Sequence, residues 1–239
     1  MPVSCIIYDL DGTLIDSADD IAAAVNRTRA HYDLEPLSVD HVKAFIGDGV
    51  RRLLERALLG MVEDPVMRPT RCLPKRWTDL DEVMEVFIGE YCLDPVIETK
   101  TYPGVAEALK RWYEEGVAQV VLTNKPDPIA KKVLETLGLA KYLDVIIGKN
   151  AVDEDGKPVP PKGSAEVVDY ILYQTGAERD ETVLVGDDRP DIATAKAGGI
   201  RCVVILGGYG NPEELASLAP DLDLCVATFQ DADALLQRL

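Results

Sequence analysis

The sequence predicts an α/β protein whose core is a doubly wound parallel sheet, with a helical cap domain inserted into it. Short apolar runs rich in β-branched residues alternate with helix-like stretches, and they cover 3–8, 118–123, 143–147, 182–185 and 201–206. This alternation is typical of a parallel sheet covered by helices on both faces. The region between 16 and 99 breaks the alternation, because its periodicity is helical and it contains no convincing strand.

The insertion therefore divides the chain into a core, at 1–15 and 100–239, and a helical domain at 16–99. Within the insertion, apolar spacing predicts helices at 18–32, 39–45, 50–59 and 81–91. The stretch 63–77 contains three prolines and is predicted to be an irregular loop. Pro103-Gly104 marks the return to the alternating pattern.

The composition limits the classes of partner. The chain of 239 residues has a formal net charge of −17 and no basic patch, which disfavours nucleic acid and anionic membranes. No run approaches the roughly eighteen apolar residues of a membrane helix, and no signal-peptide pattern is present, so a cytoplasmic protein is expected. Five scattered cysteines argue against a disulfide framework or a zinc site. A homodimer is compatible with the sequence, which does not determine the oligomeric state.

Two carboxylates lie at the end of the first predicted strand. Asp9 and Asp11 follow an apolar run and are joined by Gly12 and Thr13. In an extended chain, residues two apart point the same way and lie roughly 7 Å apart, so both acids face one small volume. Two like charges there require a cation, a shared proton or an electrophile, although Asp and Gly also form simple turns. Gly12 permits a sharp turn that brings the hydroxyl and amide of Thr13 back toward the acids.

A second polar cluster, Thr123-Asn124-Lys125, ends the strand predicted at 118–123. One interpretation is a helix N-cap, because a helix is predicted from 128 onward. The other is a ligand site, because ligands of parallel sheets bind beyond the carboxyl ends of the strands. In that case Lys125 holds the far end of a substrate, with a solvated surface lysine as the equal alternative.

Two lysines precede the helix that leads into the strand at 182–185. Lys157 stands in a Lys-Pro-x-Pro pattern, whereas Lys162 lies directly before a helix predicted over 165–175. A lysine beside the first turn of a helix can meet an anion that the helix N-terminus already favours. Helix length favours Lys162, because a start at Lys157 would add about five residues, more than one turn, before Gly176.

Acidic residues also follow the strand at 182–185. Asp187, Asp188 and Asp191 form an oxygen-rich cluster. Such carboxylates suit Mg²⁺, which prefers octahedral oxygen ligands and keeps several waters. Helix capping by Asp188 or Asp191 explains either residue singly but not the cluster. The sequence therefore favours a magnesium site at this cluster.

In this order, the motifs at 9–14, 123–125, 162 and 186–191 resemble the haloacid dehalogenase superfamily of phosphotransferases, whose sheet is Rossmann-like. The resemblance implies that Asp9 attacks phosphorus, forming an aspartyl-phosphate, and that Asp11 acts as general acid and base. It also implies that Thr123 and the next backbone amide, that of Asn124, bind the transferring phosphoryl group.

The resemblance further assigns the charged residues of the site. Lys162 would offset the charges of nucleophile and phosphate. Asp9 and Asp187 would bind Mg²⁺ through side chains, and Asp11 through its backbone carbonyl. Asp191 would be an orienting acid outside the metal's ligand shell, and Asp188 stands where relatives often have Ser.

Within the superfamily, the sequence is similar to phosphoglycolate phosphatases. The similarity rests on 9–17, on a Gly-Asp-Gly turn at 47–49, on 122–126 and on Gly207-Gly208-Tyr209-Gly210. It implies hydrolysis of a small-molecule phosphate monoester, 2-phosphoglycolate above all. A phosphosugar mutase and a nucleotide or pyrophosphate phosphatase are the enzymatic alternatives, and a non-catalytic phosphoprotein-binding module is the alternative from another class.

Substrate choice is expected to depend on the inserted helical domain, which would close over the site. Arg51 follows the Gly-Asp-Gly turn at the start of a predicted helix. It is a candidate for binding a substrate carboxylate or phosphate bidentately. A solvated arginine at a glycine-rich helix start is the alternative.

Overall fold

The computed structural model describes residues 2–75, 79–219, 221 and 224–239. In chain order, its strands are β1 (Cys5–Tyr8), β2 (Ile15–Asp16), β3 (Lys100–Thr101), β4 (Ala118–Pro126), β5 (Val145–Lys149), β6 (Thr182–Gly186), β7 (Arg201–Ile205) and β8 (Cys225–Val226). Its α-helices are α1 (Ala18–His31), α2 (Val39–Lys43), α3 (Val50–Leu59), α4 (Leu80–Leu93), α5 (Val105–Glu114), α6 (Asp127–Thr136), α7 (Ala165–Thr175), α8 (Arg189–Gly198), α9 (Pro212–Leu218) and α10 (Phe229–Leu236).

Six of the strands form one parallel sheet in the order β5-β4-β1-β6-β7-β8. The first strand lies inside the sheet between β4 and β6, so that Tyr8 is level with Val121 and Val185. Because the strands run in the same direction, the residues that follow them emerge at one edge. The predicted α/β class with a doubly wound parallel sheet is confirmed.

Side chains of β1 alternate between the two faces of the sheet. Cys5 and Ile7 belong to a core cluster that includes residues of α7 and α8. On the other face, the ring of Tyr8 lies 6.2 Å from that of Phe229 in α10. All four side chains of β1 are fully buried, and burial on both faces explains why the strand is a continuous apolar run.

The strands β2 and β3 were not predicted, and each has only two residues. So short a segment has no periodicity that could identify it in a sequence. Tertiary pairing defines β2 and β3, since Ile15 pairs with Thr101 and Asp16 with Lys100 in a separate antiparallel ribbon.

The chain divides into two compact units. The core unit comprises Met1–Asp16 and Lys100–Leu239, and the helical unit comprises Ser17–Thr99 with α1 to α4. The loop predicted at 63–77 includes a 3-10 turn at Pro65–Met67, and its residues 76 and 77 lie outside the described residues. Among the described helices, none is both long enough and apolar enough to span a membrane.

A buried carboxylate connects the start of the helical unit to its end. Asp20 of α1 is 3% exposed, and it accepts hydrogen bonds from the amides of Ile97, Glu98 and Thr99 and from the Thr99 hydroxyl. Burial alone would raise the pKa of Asp20, but these hydrogen bonds outweigh burial and lower it. Asp20 therefore stabilises the helical unit as an anion.

Replacing Asp20 with Asn is expected to reduce the free energy of unfolding by about 2 kcal/mol at neutral pH, because one amide oxygen replaces two charged ones. The folded pKa lies below the ordinary value of 3.8. The anion's contribution is therefore complete above that value and is lost as the pH falls through the folded pKa. Urea unfolding of both proteins tests this, and a difference between them that did not shrink in acid would contradict it.

Candidate active site

Polar side chains follow three neighbouring strands at one edge of the core sheet. Asp9 follows β1, Asp187 follows β6, and Thr123 lies near the end of β4. The amide of Asp9 donates to the carbonyl of Val185 at 2.9 Å, which extends the pairing of β1 with β6 beyond Tyr8. The structure therefore brings together the three strand ends that the sequence analysis selected.

Lys162 connects two of the acids at this edge. Its Nζ lies 2.9 Å from Asp9 Oδ1 and 2.7 Å from Asp191 Oδ1, and its side chain is 3% exposed. The turn before α7 positions it, where the amide of Gly163 donates to the Thr194 hydroxyl at 2.8 Å. Burial alone would lower the pKa of Lys162, but the two carboxylates outweigh burial and raise it. Lys162 is therefore a fixed buried cation.

The other candidate lysine lies away from the acids. The side chain of Lys157 is 73% exposed, and its Nζ lies 3.3 Å from Asp155. Its amide donates to Asp153 Oδ1 at 2.8 Å within a turn. Of the two lysines, Lys162 is the one that reaches the strand ends, because α7 begins only at Ala165.

Three buried carboxylates, those of Asp9, Asp187 and Asp191, have oxygens within 4.8 Å of one another. Burial raises the pKa of Asp9 to about 7, although Lys162 acts in the opposite direction. Burial, together with the charges of Asp9 and Asp191, raises the pKa of Asp187 well above its ordinary value. The single charge of Lys162 does not balance three acids, and this deficit among oxygen donors fits a bound Mg²⁺.

Both oxygens of Asp191 are already engaged. Oδ1 lies 2.7 Å from Lys162 Nζ, and Oδ2 accepts from the amides of Asp187 and Asp188 at 3.2 and 3.0 Å. Asp188 is the N-cap of α8, and its Oδ1 accepts from the Arg189 amide at 2.7 Å. Asp191 is therefore suited to orienting Lys162, and Asp188 to starting the helix.

A glycine-rich loop after β7 supports Asp187. The amide of Tyr209 donates to Asp187 Oδ2 at 2.7 Å, and the Thr13 hydroxyl donates to Oδ1 at 2.5 Å. A Cβ at Gly208 would lie 2.3 Å from Oδ2, and one at Gly12 would lie 2.1 Å from it. This loop was not predicted to belong to the site. Its position after a strand adjacent to β6 was the available signal.

Asp11 forms a buried ion pair. Lys125 Nζ lies 2.9 Å from Asp11 Oδ1, and the side chains are 2% and 12% exposed respectively. The surface-lysine interpretation is wrong, because β4 continues to Pro126 and keeps Lys125 within the sheet edge. The N-cap interpretation of Thr123 is also wrong, since Pro126 occupies the N-cap position of α6.

A pocket of about 370 Å³ lies in the core unit beside these residues. Thr123, Asn124 and Lys162 line it, together with the segments 147–152 and 158–161. Small-molecule sites typically enclose roughly 300–1,000 Å³. The pocket therefore suits a small ligand that contacts Thr123, Asn124 and Lys162 at once.

Arg51 lies in the helical unit, in the first turn of α3. Its guanidinium pairs with Asp81 of α4, and its side chain is 53% exposed. The Gly-Asp-Gly turn before α3 is bound by a different arginine, Arg56, which donates to the Phe45 carbonyl at 2.9 Å and to the Asp48 carboxylate. Contact of Arg51 with a substrate stays a prediction.

The fold and the site define a class of hydrolase with clustered carboxylates and a buried lysine at the carboxyl ends of a parallel sheet. The model of one family, described as haloacid dehalogenase-like hydrolase, matches residues 6–205. The chain belongs to this family.

The curated relatives of this chain include phosphoglycolate phosphatases. A phosphoglycolate phosphatase from Aquifex aeolicus is 34% identical over 220 residues, which cover 92% of this chain and 91% of the relative. Phosphoglycolate phosphatase 1 from Pseudomonas aeruginosa is 32% identical over 91% of this chain and 74% of its own length. This protein is therefore a phosphoric monoester hydrolase similar to phosphoglycolate phosphatases.

Solved structures share the whole fold. That of a predicted phosphoglycolate phosphatase from Haemophilus somnus 129PT has a TM-score of 0.80 and 25% identity, covering 99% of this chain and 98% of that one. A CbbY variant from Rhodobacter sphaeroides, in complex with xylulose-(1,5)-bisphosphate, has a TM-score of 0.68 and 21% identity, covering 95% of each chain. At that identity the second similarity concerns the fold alone.

Proposed function

We propose that the protein is a magnesium-dependent phosphatase that hydrolyses 2-phosphoglycolate through an aspartyl-phosphate. One observation carries the proposal. Lys162 contacts Asp9 and Asp191 while the oxygens of these two acids and of Asp187 lie within 4.8 Å of one another. A candidate nucleophile, a fixed cation and metal-binding oxygens thus share one buried cluster. The core unit is accordingly the catalytic domain, and the helical unit, which contains Arg51, is its cap domain.

In this mechanism Asp9 attacks the phosphorus of the bound ester, and the bond from phosphorus to the leaving oxygen breaks. Asp11 donates a proton to that oxygen, which leaves as an alcohol. As a carboxylate, Asp11 then accepts a proton from a water molecule that attacks the aspartyl-phosphate and releases inorganic phosphate. Thr123 and the amide of Asn124 bind the phosphoryl oxygens.

The side chains of Asp9 and Asp187 and the backbone carbonyl of Asp11 would hold Mg²⁺. When bound, the ion would offset charge between nucleophile and phosphate, since unit charges roughly 4 Å apart repel by about 4 kcal/mol at an effective dielectric constant of about 20. Asp191 would act indirectly, because its Oδ1 contacts the Lys162 ammonium, a contact that orients the lysine.

Removing Mg²⁺ with a chelator is expected to abolish phosphate release, and adding Mg²⁺ should restore it. Mg²⁺ should also raise the Tm, because a ligand at 100 times its Kd stabilises the native state by about 2.7 kcal/mol. Asp187→Asn should remove most of this increase in Tm, whereas Asp155→Asn, at an exposed acid of the core unit, should retain it. Chelator-resistant hydrolysis would contradict the metal's role.

Two features support 2-phosphoglycolate as the substrate. The curated relatives are phosphoglycolate phosphatases, and the pocket beside Thr123 and Lys162 is also lined by Lys149. Lys149 is exposed. A substrate that carries a carboxylate as well as a phosphate needs a second cation, and an exposed lysine on the pocket wall can supply it.

A phosphate-release panel tests this substrate against sugar phosphates, nucleotides and pyrophosphate. We expect the highest kcat/KM with 2-phosphoglycolate. Lys149→Met should raise its KM about tenfold, equivalent to about 1.4 kcal/mol, and leave the KM for p-nitrophenyl phosphate within about twofold. Lys110→Met, at an exposed lysine of α5, is the control. A preference for another ester would refute 2-phosphoglycolate, and phosphate returned to a sugar would indicate a mutase.

A further inference from the structure

We propose that Lys125 is a positioning residue that holds the carboxylate of Asp11 for proton transfer, an inference that rests on the proposed function. Two buried ammonium groups at the strand ends contact different acids. Lys162 contacts Asp9 and Asp191, whereas Lys125 contacts Asp11. Lys162 thus contacts the proposed nucleophile, and Lys125 contacts the residue that is proposed to transfer the proton.

Lys125 is fixed at both its backbone and its side chain. Its amide donates to the Thr123 hydroxyl at 3.2 Å, and its Nζ donates to Asp11 Oδ1 at 2.9 Å. The segment departs from the regular ladder, because the pairing of β4 with β5 shifts register between Leu122 and Pro126. The chain therefore presents Thr123 and Lys125 to the site from one irregular strand end.

The ion pair between Lys125 and Asp11 can hold Asp11 in one orientation because both side chains are largely buried. An exposed pair is worth little, because water screens it and both side chains remain mobile. The Lys125 side chain is 2% exposed and that of Asp11 is 12% exposed, so the contact restricts the rotation of Asp11 strongly. The contact of Oδ1 with Lys125 thus sets how the Asp11 carboxylate is presented to the leaving oxygen or to water for proton transfer.

Substrate binding, the role first considered for Lys125, fits the structure less well. A lysine that holds the far end of a substrate must offer its ammonium to a ligand. The ammonium of Lys125 is buried against Asp11, whereas Lys149 of the pocket wall is exposed. The geometry therefore favours a role in which Lys125 positions Asp11 over one in which it binds the substrate.

The test compares the full-length protein with Lys125→Met in the presence of Mg²⁺. With 2-phosphoglycolate, kcat should fall about 100-fold while KM stays within about threefold, because proton transfer contributes 10²–10⁴-fold to such reactions. With p-nitrophenyl phosphate, kcat/KM should fall less than about tenfold, because its phenolate leaves without needing a proton. Acid quenching should then trap phosphoprotein in the variant, since the water attack also needs Asp11.

A double-mutant cycle separates positioning from a structural effect. In an Asp11→Asn background, Lys125→Met should change kcat/KM for p-nitrophenyl phosphate less than about threefold, because the two residues act as one unit. Additive losses would overturn the inference, as would a raised KM with unchanged kcat. If Lys125→Met fails to fold, Lys125→Gln replaces it, because a neutral amide holds the Asp11 carboxylate more weakly than an ammonium does. In that variant kcat should fall by less than 100-fold while KM stays unchanged, and an unchanged kcat would overturn the inference.

These outcomes are distinguishable from failure of the proposed function. If the unmodified enzyme releases no phosphate from 2-phosphoglycolate, the substrate assignment fails. Trapping of phosphoprotein from p-nitrophenyl phosphate still reports on Lys125 in that case. Lys110→Met is the control, and it should behave like the unmodified enzyme with both esters.

Discussion

Asp9→Asn is expected to reduce kcat with p-nitrophenyl phosphate and Mg²⁺ by at least about 10⁴-fold, because an amide cannot form the aspartyl-phosphate. The fold should persist. The substitution removes one of three carboxylates whose oxygens lie within 4.8 Å of one another, so without Mg²⁺ the Tm should be unchanged or higher.

Asp155→Asn is the matched control for Asp9→Asn. Asp155 lies in the same unit, but its side chain is 76% exposed and its partner is Lys157. Its kcat should stay within about twofold of that of the unmodified enzyme. Hydrolysis by Asp9→Asn near the unmodified rate, measured as released phosphate, would show that another residue is the nucleophile.

Lys162→Met is expected to reduce kcat about 10²- to 10³-fold, the usual cost of removing one electrostatic stabiliser of a transition state. Its effect on stability should be opposite to that of Asp9→Asn. The substitution leaves Asp9 and Asp191 without their shared cation, and breaking a buried ion pair typically costs about 3–5 kcal/mol. Thermal unfolding with and without Mg²⁺ measures this loss, and the ion should restore part of it.

Lys157→Met tests whether Lys157, rather than Lys162, is the lysine that acts in the site. Lys157 is 73% exposed, so its substitution should change neither kcat nor Tm appreciably. A larger loss of activity in Lys157→Met than in Lys162→Met would overturn the role assigned to Lys162.

The strand ends could be predicted because their signal is local. An apolar run followed by Asp9, by Thr123 or by Asp187 identifies a strand and its polar end within ten residues of sequence. Parallel pairing then requires these ends to lie at one edge of the sheet. The choice of Lys162 over Lys157 also followed from a local quantity, the length of the next helix.

The contacts that the sequence did not predict are those between distant segments. Lys125 and Asp11 are 114 positions apart, and Tyr209 and Asp187 are 22 apart. Their pairing depends on how far β4 extends and on where the loop after β7 turns back. A single sequence contains no periodicity that reports either property. The contact between Lys125 and Asp11 therefore became visible only with the fold.

The ribbon of β2 and β3 has a topological consequence. The residues that flank the helical unit are cross-strand partners, Ile15 with Thr101 and Asp16 with Lys100, and such partners lie only about 5 Å apart. The pairing of β2 with β3 holds the two ends of the insertion together, so a change in the length of the inserted chain does not require the core to move. The entropic cost of closing the insertion grows only slowly with its length. The helical unit can diverge or be exchanged as a module, while the acids at the strand ends keep their register.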